Sequence, residues 1–399
     1  MLDTAPGRVQ PLSVPHGLPV EAFKDFINAI YGMGASDIKL QSGDFVWADV
    51  NRIWQPVSDR RLEPQELDRA LSILNDQSGL GLISSGQPVD ARVDLYRSAE
   101  DMNEFRLNGT GCMVAGVREG MSITLRAIPK EIPSLKRLGI EQEIVDNFFP
   151  RYGLILVVGT TGSGKSTLLA ASLRERLVER RHDPVAIGTY EDPIEYGLAG
   201  LAQGCMPEPT QMAIGAGRHL KSFSMVGPNA MRRRFDVIVA GEIRDLESAR
   251  AGSELARTGH SVLATLHVDT PAEAFDRIIK FYPHEQQEGE AFALLSQIRM
   301  IVAQKLSRTT AGGKMAFRSW IVVDKALKDK LSNAPVATWA RVVTKEIKDR
   351  GADFESAAYQ AFEANQITLE SFREIAGMTA MEANAFIDAQ RGKHACTVG

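Results

Sequence analysis

Apolar residues recur at helical spacing from Val20 through Ala22, Phe23, Phe26, Ile27 and Ile30, which predicts a helix. Alternation follows at Ile38-Lys39-Leu40-Gln41 and from Phe45 to Trp54, crossing a turn-like Asp49-Val50-Asn51-Arg52. A second helix is expected from about Pro64 through Leu67, Leu71 and Leu74. Strands are expected at Ala91–Leu95, Glu104–Leu107, Met113–Arg118 and Ser122–Ile128. Together these describe an α+β domain over residues 20–128. Ahead of it, residues 1–19 carry Pro6, Pro11, Pro15 and Pro19 with little periodicity and read as a flexible extension. Pro129 and Pro133 suit neither a helix interior nor a central strand, so a linker is expected over 129–140.

The second half changes character. Short continuous apolar runs at Leu154–Val158, Val185–Thr189, Val237–Ala240 and Ser261–Leu266 alternate with longer helical patterns. Such runs fit strands buried on both faces, the mark of a parallel sheet flanked by helices, and the fold class is α/β with its core over 141–330. Residues 331–399 read as a helical C-terminal region. There Phe354, Ala358 and Phe362 share a face, and Thr379 with Glu382 forms a capping box.

Composition narrows the classes. At 399 residues the chain has room for two or three domains with real cores. With 46 Lys+Arg against 50 Asp+Glu the formal charge is −4, so a general nucleic-acid-coating role is not expected. The three cysteines, Cys112, Cys205 and Cys396, are far apart and odd in number, which argues against a disulfide framework or a paired-cysteine zinc site. The first residues lack the apolar core of a secretory signal, and no apolar run approaches the ~20 residues of a membrane helix. A cytoplasmic location is the expectation.

The chemistry begins at Gly159-Thr160-Thr161-Gly162-Ser163-Gly164-Lys165-Ser166-Thr167, which follows one apolar run and precedes Leu168, Leu169, Leu173 and Leu177 at helical spacing. This is the phosphate-binding loop in its strand–loop–helix context. The glycines let amide N–H groups turn toward phosphate oxygens, Lys165 supplies a mobile cation, and the Ser166 hydroxyl is a magnesium ligand. A guanine-selecting Asn-Lys-x-Asp element is absent. The strand Asp236–Ala240 ends in Gly241-Glu242, so Glu242 is placed to act on magnesium through water, while Asp236 lies at the wrong end. Thr189-Tyr190-Glu191-Asp192-Pro193-Ile194-Glu195-Tyr196 closes another strand, where ligands of open α/β sheets sit. Glu191 is the candidate to orient or deprotonate the attacking water. His260 and His267 flank the strand Ser261–Leu266, and His267, at its C-terminal end, suits phosphate sensing; a structural histidine is the plainer alternative for each. On the first-domain strands Phe105, Leu107, Ile123 and Leu125 alternate with Arg106 and Arg126, which turns the arginines outward; Arg118 lies between them in sequence.

Read in order, GTTGSGKST, TYEDPIEY, DVIVAGEIRD and TGHSVLATLH resemble the four boxes of the type II/type IV secretion ATPase superfamily. The resemblance reaches Gly34–Lys39, Glu104–Asn108 and Leu125–Pro129 in the first domain, and Ser296–Lys305, which it implies to be a helix of the core. Departures are Lys39 where many members have His, Thr160 for a Pro, and Phe235 for a Pro before Asp236. The stretches Arg218–Phe223 and Met231–Arg234 look most like the DotB/TraJ-type ATPases of type IVB secretion and conjugation; the pilus retraction (PilT-type) branch is the alternative. The resemblance implies a PAS-like N-terminal domain joined to a RecA-like P-loop ATPase domain, assembled as a homohexameric ring using ATP and Mg2+. It further implies that Arg106, Arg118 and Arg126 act as arginine fingers. The partners would be inner-membrane components of a secretion, conjugation or pilus machine, with the ring peripheral on the cytoplasmic face. A nucleic-acid translocase, supported only by runs such as Arg232–Arg234, and a non-hydrolysing scaffold are competing readings.

Overall fold

The computed structural model describes residues 9–50, 53–75, 77–97, 102–114, 117–215 and 218–397. The chain divides into two compact units, residues 1–131 and 132–399. The first begins with helix α1 (Val20–Gly32) and continues through strands β1 (Ala35–Gln41), β2 (Phe45–Val50) and β3 (Ile53–Arg61). Helices α2 (Pro64–Leu74) and α3 (Gln77–Ser84) precede β4 (Val89–Tyr96), β5 (Met102–Val114) and β6 (Val117–Ile128). The strands form one antiparallel six-stranded sheet in the order β3-β2-β1-β6-β5-β4. Its inward residues alternate as expected: Phe105, Leu107, Ile123 and Leu125 are fully buried with Phe23, Ile27 and Leu71 from the helices.

Two local expectations change. Met113–Arg118 is not a strand of its own; it spans the end of β5 and the start of β6, which pair with each other. Of the extension expected over residues 1–19, residues 1–8 lie outside the described residues, and residues 9–19 are not free. Leu12 N–H donates to Val57 O at 2.8 Å, Asp59 N–H donates to Leu12 O at 2.9 Å, and Val14 and Leu18 are buried. The prolines prevent a helix there, yet the edge strand β3 offers unpaired backbone groups and the apolar residues between the prolines reach the core. Covering an edge in this way also blocks unwanted pairing.

The second unit carries α4 (Gln142–Asn147), β7 (Gly153–Val158), α5 (Lys165–Arg174), β8 (Ile187–Glu191) and β9 (Thr210–Ala213). It continues through α6 (Val226–Met231), β10 (Val237–Glu242), α7 (Leu246–Arg257), β11 (Ser261–Leu266), α8 (Pro271–Ile279) and α9 (Gln287–Gln297). Strands β12 (Ile298–Arg308) and β13 (Lys314–Val322) then precede α10 (Lys325–Ser332), α11 (Trp339–Arg350), α12 (Phe354–Glu363), α13 (Leu369–Ala376) and α14 (Ala380–Thr397). The sheet runs β13-β12-β7-β11-β10-β8-β9 and is parallel except for the β12–β13 pair. Successive residues of β7 enter opposite cores: Leu154, Leu156 and Val158 face one cluster, Ile155 and Val157 the other. That is why the run is apolar without alternation.

Ser296–Lys305, expected as a helix, is instead the end of α9 followed by β12. Ile298, Met300, Ile301, Val302 and Ala303 are all buried beside β7. A doubly buried strand and a buried helix share an uninterrupted apolar pattern, and here the β-branched residues belong to the sheet. The linker expected at 129–140 is shorter than that: residues 132–140 belong to the second unit, where Leu135 is buried and Ile132, Leu138 and Ile140 pack against the same core. The helical tail packs on the sheet rather than standing apart, with Trp339, Phe354 and Phe372 in the cluster of Leu156. Its capping box is present, Glu382 Oε2 accepting from Thr379 N–H at 2.8 Å.

Candidate functional site

Because β7, β8, β10 and β11 run parallel, their C-terminal ends converge on one edge of the sheet. The loop after β7 turns through Gly159, Gly162 and Gly164 at φ of 147°, 78° and 88°, angles that side chains resist. Gly164 is the N-cap of α5, and no side chain caps that helix. Its first-turn N–H donors and the positive end of the helix therefore face the loop without a competing acceptor of their own. Lys165 is buried, and its Nζ donates to Gly159 O at 2.7 Å and Thr160 O at 2.8 Å. Burial holds its ammonium below the ordinary lysine value, with Glu242 and Glu195 pulling the other way. Uncapped donors, left-handed glycines and a desolvated cation form a cradle suited to a polyphosphate.

Beside the loop lies a cleft lined by Ser166, Glu191, Glu195, Gln211, Glu242 and Thr265, among others. Glu191 ends β8, and burial of its carboxyl raises its pKa to about 7, a hydrogen bond from Gln211 acting in the opposite direction. Gln211, on the edge strand β9, reaches Glu191 Oε1 at 3.5 Å and Tyr196 O at 2.9 Å, and accepts from Leu198 N–H at 2.8 Å. One side chain thus ties the acidic loop 191–198 to the sheet. Tyr196 hydroxyl and Thr167 Oγ1 are 2.7 Å apart, joining that loop to α5. Glu242 ends β10, and its Oε1 is 3.4 Å from His267 Nε2 at the end of β11. Asp192 Oδ2 faces Arg244 Nη1 at 3.4 Å.

Lys165, Ser166, Glu191, Glu242 and His267 are accordingly brought to one edge. His260 is not. It precedes β11, and its Nδ1 lies 3.1 Å from Leu255 O and from Thr258 Oγ1, at the end of α7. The six residues of β11 separate it from His267 by roughly 20 Å. Asp236 likewise sits at the far end of its strand, accepting from Ala186 N–H at 2.8 Å. In the first unit Arg106 and Arg126 are exposed, direct cross-strand partners on β5 and β6. Arg126 Nε donates to Asp37 Oδ1 at 2.8 Å. Arg118 lies in β6, and its side chain falls outside the described residues. Sequence reasoning missed Gln211, Tyr196 and Arg244. A four-residue edge strand such as β9 has no periodic signal, though Arg244 stood two residues beyond Glu242.

Comparison with known proteins shows the family and the fold. The chain is 28% identical over 350 residues to the type IV pilus ATPase PilU of Pseudomonas aeruginosa, covering 87% of each chain. Among solved structures it is similar to the ATPase DotB of Legionella pneumophila, with a TM-score of 0.82 and 27% identity over 92% of this chain and all of that one. It is also similar to the pilus retraction motor PilT with bound ADP, with a TM-score of 0.74 and 26% identity over 88% of this chain and 96% of that one. The family model for type II/IV secretion system proteins matches residues 22–383, and the chain belongs to that family.

Proposed function

We propose that this chain hydrolyses ATP and that turnover drives a secretion machine of the type IVB or conjugative kind. The observation that carries the reading is the convergence of Lys165, Glu191, Glu242 and His267 on one edge of the sheet, beside an uncapped helix N-terminus. In this reading the loop 159–167 and Lys165 hold the phosphates. Glu191, with a pKa near neutrality, receives a proton from the attacking water as the water oxygen bonds to the γ-phosphorus and the bond from that phosphorus to the β,γ-bridging oxygen breaks, so that ADP leaves with the bridging oxygen. Ser166, and Glu242 through water, would hold Mg2+, which neutralises charge on the phosphate oxygens. His267 couples that carboxylate to the state of the γ-phosphate. Arg106, Arg118 and Arg126 are proposed as arginine fingers, and His260 as a residue that stabilises the end of α7 rather than one that meets nucleotide.

Family likeness supports a homohexameric ring at the cytoplasmic face of the inner membrane, where such machines stand; among the described residues no helix is long and apolar enough to cross a membrane. The likeness to DotB favours the type IVB branch. The similarity to PilU over most of both chains favours a second reading, a pilus motor. Lys165→Ala tests the site: phosphate release from ATP should fall to background, and unchanged turnover in a clean preparation would reject the assignment. The two machines are separated by deleting the gene and scoring conjugal transfer or secretion against twitching.

A further inference from the structure

Behind the phosphate loop lies a buried polar chain that no part of the proposed chemistry uses. Gln304 on β12 and Arg318 on β13 are cross-strand partners, each only 4% exposed. Gln304 Nε2 donates to Ser163 O at 2.8 Å, and Gln304 Oε1 faces Arg318 Nη1 at 3.5 Å. Arg318 then donates from Nη2 to Gly139 O at 2.7 Å and from Nε to Glu141 Oε2 at 2.5 Å. The amide orientation follows from its neighbours, since a flipped Gln304 would set oxygen against a carbonyl and nitrogen against a guanidinium. The loop is also shaped around this residue. A Cβ at Gly159 would stand 2.5 Å from Gln304 O, and one at Gly164 would stand 2.7 Å from Gln304 Nε2.

We propose that Gln304 is a positioning residue for the phosphate loop and that Arg318 couples it to residues 139–141, the segment of the second unit just ahead of α4. A guanidinium this deeply buried has few alternative partners, so moving Glu141 withdraws a bond that holds Arg318 against Gln304. The loop conformation that receives phosphate and the anchoring of 139–141 therefore change together. A signal can pass in either direction: nucleotide tightens the segment, and displacement of the segment loosens the loop. This rests on the assignment of residues 159–167 as the nucleotide site.

The test is binding of a fluorescent ADP analogue to the full-length chain and to Glu141→Gln, Gln304→Glu and the double variant, with thermal melts alongside. Gln304→Glu keeps the shape and a partner for Arg318 but removes the donor to Ser163 O. It should weaken binding about tenfold, the loss of one buried hydrogen bond. Glu141→Gln, although it touches no loop atom, should weaken binding severalfold and raise KM for ATP with kcat at saturation little changed. The double variant should bind no more weakly than Gln304→Glu alone. Unchanged binding in Gln304→Glu overturns the positioning role, and additive losses in the double variant overturn the coupling. A wild-type chain that binds no analogue overturns the site assignment itself, a result distinct from either.

Discussion

Nε2 of His267 lies 3.4 Å from Oε1 of Glu242, so the histidine ending β11 meets the carboxylate ending the neighbouring strand β10. The two strands pair in parallel, with an irregularity between Val239 and Glu242 that sets Glu242 opposite Thr265, two residues before His267. Both side chains remain partly open to solvent, so the approach leaves room for a ligand to reach either. His267→Ala and Glu242→Gln should each lower kcat by about 10²-fold or more. If the two act as a unit, the double variant should fall little further. Steady-state phosphate release at saturating ATP checks both statements, and multiplied losses would show that the pair acts independently.

Glu191 titrates near pH 7 in the folded chain because burial disfavours its charge. If Glu191 serves as the base it must be ionised to accept a proton, so kcat should decline as pH falls through about 7. Glu191→Gln should remove that limb together with most of the activity. Gln211→Leu takes away a hydrogen bond that favours the charged form, so its limb should move to higher pH. A profile for Gln211→Leu that overlays wild type would contradict the link.

The same shift has a consequence for stability. A carboxyl whose ordinary pKa is 4.5 and whose folded value is about 7 binds its proton more tightly in the native state. Its contribution is therefore greatest below pH 4.5 and is lost as pH rises through 7. At pH 8 Glu191→Gln should melt higher than wild type, by about 2 °C or more, and the difference should shrink toward pH 5. Melts showing the opposite trend would place the carboxyl in a less desolvated setting.

Phe235 stands where the family pattern has proline, and the structure shows what it fills. A Cβ at Gly188 on β8 would lie 2.4 Å from its ring. Gly188→Ala should cost about 1–3 kcal/mol by overpacking. Adding Phe235→Leu should restore part of that loss. Chemical denaturation of the three variants measures it, and a neutral Gly188→Ala would mean that the strand ends yield more easily than close packing allows.

Arg106 and Arg126 are neighbours across β5 and β6, both exposed, and Arg126 is paired with Asp37. The Arg126 side chain is largely in solvent although Asp37 is mostly covered, so water and other anions still reach the guanidinium and can compete for it. If they serve as fingers, Arg106→Ala and Arg126→Ala should cut kcat by about 10³-fold while nucleotide binding and the melting temperature stay close to wild type. Full turnover in both would return them to ordinary surface residues.

Local pattern made much of this molecule legible. The phosphate loop was readable because its glycines, lysine and serine must follow one another within a single strand–loop–helix turn, and Glu191, Glu242 and His267 were readable because each ends an apolar run. The alternation of Phe105 and Leu107 with Arg106 displayed which face of β5 is buried. The helix that the resemblance implied over Ser296–Lys305 was wrong, and the apolar run from Ile298 could not correct it, because it fits a buried helix as well as the interior strand β12. Residues 9–19 and 132–140 were hidden for a related reason, since scattered apolar residues among prolines reveal a packing partner only when that partner is in place.

What the chain's order alone determined is the set of elements and the chemistry at their ends, because backbone geometry and periodicity act over a few residues. Tertiary structure decided which ends meet. Parallel pairing put His267 beside Glu242 and left His260 at the opposite edge, and it brought Gln304 against Ser163, 141 positions earlier. Contacts of that range depend on strand order and register, which are set by how whole elements bury their faces together and leave no mark in the spacing of any one segment.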